Sequence, residues 1–304
     1  MRTRHSLSHR VGQMVSAAAV ALACGLAAAA EPLVVDLWPA GTPDPPAADA
    51  GPERRIVKDP PDGLVRLTDV TRPTIAVYRP ERPNGTAVVV CPGGGYKFLA
   101  FEHEGTQVCE FLAGHGVTAV LLKYRVPAEP RLPLQDAQRA LGIVRRRAAE
   151  WGIAADRIGI LGFSAGGHLA IMAALHAGDR TYALDEALEA AAATPDFVIP
   201  VYPAYLTAQG SEGPLLPEIA VTGTSPPMCL VHATDDRITA SGSGLVYLEY
   251  RKRALPCELH VYAKGGHGFG MKPGVLPVHA WPQRVVEWMA SMGYLPRNGS
   301  AAAD

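Results

Sequence analysis

The stretch that decides the fold runs Ile158-Gly159-Ile160-Leu161-Gly162-Phe163-Ser164-Ala165-Gly166-Gly167-His168-Leu169-Ala170. An apolar β run stops at Gly162, a serine follows two residues later, and small residues lead straight into a helical pattern. The five-residue pattern Gly-x-Ser-x-Gly is unspecific by itself. Its setting of strand, tight turn and helix marks a turn that holds the Ser164 hydroxyl above a sheet edge. A Cβ at Gly162 or Gly166 is expected to collide with the neighbouring strand or helix. The helix opens at once, so its first N–H groups and its dipole favour an anion forming at the serine.

Outward from this turn, strand-like and helix-like segments alternate. Upstream, Val65–Val70 and Thr74–Tyr78 read as two edge strands joined by a turn at Arg72-Pro73. Thr86–Val90 is a continuous β-branched run suited to a sheet covered on both faces. His103–Gly114 is helix-like, Val117–Val126 is a buried strand, and Leu134–Trp151 is a long helix with arginines opposite its apolar stripe. Downstream come a helical stretch over 184–193, strands at Phe197–Tyr202 and Met228–His232, a helix at Gly244–Ala254, a strand at Glu258–Tyr262 and a helix from Pro282 to Met292. This alternation predicts an α/β fold with a doubly wound, mostly parallel sheet and helices on both faces. In such sheets sites form beyond the carboxyl ends of the strands.

Chemistry is therefore sought at strand ends. A serine hydroxyl attacks only when a base takes its proton and an acid orients that base. After one downstream strand stand Asp235 and Asp236, and after the last strand stands His267 in Lys264-Gly265-Gly266-His267-Gly268-Phe269-Gly270. The order serine, acid, histidine results. His168, His176 and His279 fall on helical stretches and His232 inside a strand, which makes them poorer bases. An oxyanion needs preorganised N–H donors. Ala165 follows the nucleophile, and Gly93-Gly94-Gly95 occupies the position of the lipase and esterase HGGG loop, with Pro92 in place of its histidine. Gly94, Gly95 and Ala165 are the candidate donors. Tyr96 and His103 are candidate substrate contacts, His103 with helix capping as its alternative role.

With these pieces in place, the segments CPGGGY, LLKYRVP, GFSAGGHLA, VIPVYPAYL, HATDDR and ELHVYAKGGHGFG resemble the α/β-hydrolase superfamily over roughly residues 60–295. More narrowly they resemble acetyl esterases found among xylan- and polysaccharide-degrading enzymes, some of which carry the label xylanase. The resemblance implies cofactor-free hydrolysis of short acyl esters, acetyl groups on a polysaccharide or a small molecule among them. It carries the catalytic roles onto Ser164, Asp235 and His267, and it places the orienting acid at Asp235, the first of the two aspartates and the one closer to the strand end. Asp236 then takes a structural role. The linker from Ala204 to Pro227 departs most from such enzymes and lies near the expected acyl pocket.

Other activities fit less well. A prolyl-oligopeptidase-type serine peptidase shares the triad order and an Asp-Asp-Arg stretch, but nothing here could form its gating propeller. A non-hydrolytic binding protein on the same fold needs no intact triad, and all three residues are present. A glycosidase needs two carboxylates spaced across the sugar bond, whereas this site centres on a serine. The cysteines and histidines show no metal-ligand spacing, so no metal is expected.

The chain has 304 residues, 48% hydrophobic and 19% charged, with a formal charge of −1. That length favours one large α/β domain, and the charge gives no reason to expect nucleic acid or an anionic membrane surface as partner. Residues 1–30 read as a secretory signal peptide: Arg2, Arg4 and Arg10, a short alanine-rich run, then small residues before Glu31. The run is too short for stable membrane insertion. Export to the periplasm or beyond is the resulting expectation. Residues 31–64 read as an extended arm without an amphipathic lid, residues 65–296 as the catalytic domain and residues 297–304 as a frayed tail. Cys91, Cys109, Cys229 and Cys257 remain after cleavage. Bridges are possible in an oxidising compartment, but three of the four sit in or beside strand-like runs and read as buried thiols.

Overall fold

The computed structural model describes Met1 and residues 31–44, 51–56, 63–180, 182–183, 193–208 and 211–296. The rest of the expected leader, nearly all of the helical stretch expected over 184–193, and the tail from 297 lie outside the described residues. Eight strands form one sheet in the order β1-β4-β7-β5-β8-β9-β10-β11. They are β1 Leu33–Asp36, β4 Thr74–Tyr78, β5 Ala87–Cys91, β7 Thr118–Lys123, β8 Ile158–Phe163, β9 Phe197–Val201, β10 Met228–Ala233 and β11 Cys257–Tyr262. From β7 to β11 every neighbouring pair is parallel; β1 with β4 and β4 with β7 are antiparallel.

Every residue of β5, β8, β9 and β10 is buried, which is why these strands read as unbroken apolar runs. Helices α1 Gln107–Gly114 and α6 Trp281–Ser291 cover one face, packing Val108, Leu112, Trp281 and Val285 against Val88, Val90 and Val231. Helices α2 Arg131–Arg146, α4 Ala165–Leu175 and α5 Ser241–Lys252 cover the other, with Leu141, Leu169 and Val246 against Val89 and Ile160. The chain leaves β5 toward the first face and leaves the adjacent β8 toward the second. Their outgoing loops therefore diverge and open a crevice at the carboxyl ends, the topological switch point of the sheet.

Several elements differ from expectation. Val65–Val70 and Thr74–Tyr78 do not pair with each other. Strand β1, supplied by the 31–64 arm, occupies the free edge of β4. Strand β3, Arg66–Thr68, instead joins β2, Arg54–Ile56, and β6, Leu99–Ala100, in a small antiparallel sheet. The arm is thus partly built into both sheets. The helix expected from His103 begins as a π-helical turn over Glu102–Thr106 before α1 takes over. The helix expected over Leu134–Trp151 starts earlier, at Arg131, and breaks at Arg147 (φ −94°, ψ 9°) into α2 and the short α3, Ala148–Trp151. The four cysteines are free thiols, Cys257 half-buried and the other three buried. Among the described residues no helix is long and apolar enough to cross a membrane.

Candidate active site

Ser164 stands between β8 and α4 at φ 52°, ψ −115°, a conformation that costs a non-glycine residue on the order of 1–3 kcal/mol. Neighbours on every side hold it there. Its N–H donates to Val201 O at 3.0 Å, and its carbonyl accepts from Ala204 N and His168 N, both at 3.0 Å. A Cβ on Gly162 would lie 2.0 Å from Gly166 O, and one on Gly166 would lie 2.1 Å from Cys91 O. The glycines on either side of the serine are what let strand, helix and glycine loop close on one point.

His267, after β11, places Nε2 2.9 Å from Ser164 Oγ. Its Nδ1 lies 2.8 Å from Asp236 Oδ2. An ionised carboxylate only accepts, so Nδ1 carries the proton and Nε2 is free to receive one from the serine. Asp236 is buried. Burial alone would raise its pKa, but hydrogen bonds from His232, His267 and the Ile238 N–H outweigh it and hold the carboxyl below its ordinary value.

The expectation for Asp235 is corrected here. Its Oδ1 accepts the N–H groups of Gly265 and Gly266, both at 2.8 Å, and its side chain does not reach the imidazole. Those bonds, led by the one from Gly266 and joined by the nearby Lys264, depress its pKa although it is exposed. Asp235 therefore braces the histidine loop from outside, and Asp236 orients the ring from beneath.

The glycine loop lies where the sequence placed it. Gly93 packs so closely on the elbow that a Cβ there would meet Phe163 O at 2.7 Å and Ser164 Cβ at 3.0 Å. Gly94 has φ 140°, and its carbonyl accepts from Lys97 N and Phe98 N. Among the described residues no hydrogen bond occupies the N–H groups of Gly94, Gly95 or Ala165. Ala165 N–H opens α4, so the positive end of that helix points into the site.

Tyr96 is placed differently from expectation. Tyr96 is buried, with its hydroxyl 2.7 Å from His168 Nδ1 behind the elbow, and it does not line the cleft that holds Ser164. His103 does line that cleft but is only 5% exposed, inside the π-helical turn, and it caps no helix.

A group that sequence reasoning passed over joins the two halves of the site. Glu104, 3% exposed, accepts from Gly93 N at 2.9 Å through Oε2 and from the Tyr202 hydroxyl at 2.9 Å through Oε1. The Tyr202 oxygen in turn accepts from Gly270 N at 3.0 Å. A buried carboxylate thereby ties the glycine loop to the loop carrying His267. Tyr202 also sets its ring edge-on to His267, with centroids 5.0 Å apart. The only sequence signal for this link was the closeness of Glu104 to the glycines.

Ser164 and His267 face a cleft of about 460 Å³ lined also by Gly94, Gly95, Phe98 and Tyr205. Among the described residues one group could hold a metal ion, Cys229, Glu258 and His260, with ligand atoms within 4.8 Å of one another. It sits toward the amino-terminal ends of β10 and β11, and none of its members lines this cleft.

Comparison with known proteins fits this geometry. The family described as BD-FAE matches residues 75–201. An acetylxylan esterase of Xylanibacter ruminicola is 31% identical over 230 residues, covering 68% of this chain and 45% of the relative. A protein called endo-1,4-beta-xylanase B from Butyrivibrio fibrisolvens is 28% identical over 206 residues, covering 60% of this chain and 32% of its own length. The chain spans less than half the length of either. Among solved structures, an acetyl ester-xyloside bifunctional hydrolase of Caldicellulosiruptor lactoaceticus aligns with a TM-score of 0.70 at 28% identity, covering 89% of this chain and 99% of that one. An alpha/beta hydrolase enzyme from a Medee basin deep-sea metagenome aligns at 0.60 and 25% identity, covering 72% and 92%.

Proposed function

We propose that this chain, an α/β-hydrolase by its fold, is a serine carboxylesterase that removes short acyl groups, acetyl first, from a carbohydrate or small-molecule alcohol. The observation that carries the reading is the relay Ser164 Oγ, His267 Nε2, His267 Nδ1, Asp236 Oδ2 at 2.9 and 2.8 Å around a strained serine. In this mechanism His267 takes the serine proton as Oγ adds to the ester carbonyl, and Asp236 stabilises the imidazolium. The Ala165, Gly94 and Gly95 N–H groups receive the oxyanion. Collapse of the intermediate expels the alcohol, which leaves with the proton from His267. Water then repeats the sequence on the acyl-serine and releases the acid.

The acetyl assignment draws on the names of the relatives and on the sequence of 31–64 and 204–227, which carries no amphipathic helical pattern. Export rests on the leader-like composition of residues 1–30. A peptidase reading gains no support from the comparisons. Parallel assays with p-nitrophenyl acetate and a Gly-Pro amide test the choice: ester turnover without amide turnover is expected, and the reverse overturns it. Acetate release from acetylated xylan, pectin and acetyl sugars then narrows the alcohol.

A further inference from the structure

The chain as a whole is slightly acidic, with a formal charge of −1, but the mouth of its serine cleft is not. Four cationic side chains line it: Arg66, Lys97, Arg237 and Lys272. Among the described lining residues the single carboxylate is Glu104, which is buried and bonded to Gly93 N–H and the Tyr202 hydroxyl. Lys97 and Arg237 matter most. Both are exposed, neither forms an ion pair with another described residue, and both also line the adjoining cleft of about 970 Å³. That second cleft balances them with two carboxylates among its described lining residues, Asp236, which holds His267, and Glu212, which accepts from Thr239 and Ser241. The cleft that holds Ser164 thus sets four cations against one carboxylate among its described lining residues, a balance that favours an anionic ligand.

A flat aromatic face lies beside these charges. Tyr205 is 46% exposed, adopts φ 57°, and stacks on the buried Tyr96 with centroids 5.9 Å apart and planes 18° apart. It lines both clefts. An amphipathic ring lining the same clefts as these cations offers one side to a sugar ring and leaves the charges to a substituent on it.

We propose that the alcohol part of the substrate is an acidic sugar, an acetylated unit bearing a carboxylate, whose anionic group sits between Lys97 and Arg237 and whose ring lies along Tyr205. This rests on the esterase reading above and specifies its substrate class. The reaction is unchanged: the bond between acyl carbon and sugar oxygen breaks, water supplies hydroxide to the acyl group and a proton to the sugar, and the carboxylate is a handle only.

The test compares three esters with the full chain: p-nitrophenyl acetate, the methyl glycoside of 3-O-acetylglucuronic acid, and the neutral methyl ester of that same glycoside. At about 20 mM salt, kcat/KM for the acid should exceed that for its methyl ester by roughly fivefold or more, and the ratio should fall below about twofold at about 500 mM salt. In the double variant Lys97→Gln, Arg237→Gln, the ratio should drop to about one at low salt. A wild-type ratio at or below one overturns the proposal while p-nitrophenyl acetate turnover leaves the esterase reading standing. No turnover of any of the three overturns that reading and this inference with it.

Discussion

Two adjacent aspartates divide two tasks, and the division turns on which N–H groups each can reach. Asp235 accepts from the backbone of Gly265 and Gly266, whereas Asp236 lies beneath His267 with Ile238 N and His232 as further donors. Asp236→Asn should lower kcat on p-nitrophenyl acetate by a factor of about 10³–10⁴, because an amide cannot hold the required tautomer. Asp235→Asn should cost less than about tenfold. Kinetics on both variants, each checked by circular dichroism, decide it; a larger loss at Asp235 refutes the assignment. Glu104 poses a second test at this scale. Its two oxygens accept from two donors, so Glu104→Gln either sets an amide N–H against Gly93 N–H or takes away the acceptor of the Tyr202 O–H. Misaligned oxyanion donors lower kcat rather than raise KM, and a fall in kcat of about 10- to 100-fold with KM within about threefold is expected. Unchanged kcat removes Glu104 from any positioning role. The serine and histidine were legible in sequence because glycine spacing advertises them. The acid was not: two neighbours in one turn look alike until the loop after β11 folds over one of them.

At the scale of elements, α4 carries both the elbow and a buried histidine. His168, one turn into that helix, is buried against the Tyr96 hydroxyl at 2.7 Å. Burial, with a smaller contribution from the charge of His176, lowers its pKa from 6.5 to about 4. The unfolded chain therefore takes up a proton below about pH 6.5 that the folded protein refuses until about pH 4. Stability contributed by neutral His168 is present above that window and is lost as pH falls through it, by as much as about 3 kcal/mol. Urea unfolding at pH 7.5 and 4.5 should show wild type losing more stability than His168→Gln; equal losses would rule out this group as the cause. The sequence made β5, β8, β9 and β10 visible as apolar runs, since a strand covered on both faces has no polar side. It did not reveal the partner of β3. Pairing with β2 and β6 depends on β1 taking the edge of β4, and no local pattern in Arg66–Thr68 records that.

For the whole molecule, the sheet's switch point sets the serine, the histidine and the glycine loop around one cleft, and the described chain places no amphipathic helical lid over it. In the esterase reading proposed above, the acyl pocket is short and open to solvent, which would favour small acyl groups. Across acetate, butyrate, octanoate and laurate p-nitrophenyl esters at matched concentration, rates should fall with chain length; rates that rise would reveal a lipase-like groove. The α/β alternation and the order serine, acid, histidine were readable along the chain, while the cationic mouth was not. Arg66, Lys97, Arg237 and Lys272 come from four separate segments and meet only in the fold. The central claim is that Ser164 is the nucleophile of an ester hydrolase. Its most direct test is p-nitrophenyl acetate hydrolysis by wild type and Ser164→Ala, with matching circular dichroism and thermal unfolding. A folded variant slowed by a factor of about 10³ or more is predicted, and one that keeps more than about a tenth of wild-type kcat/KM contradicts the account.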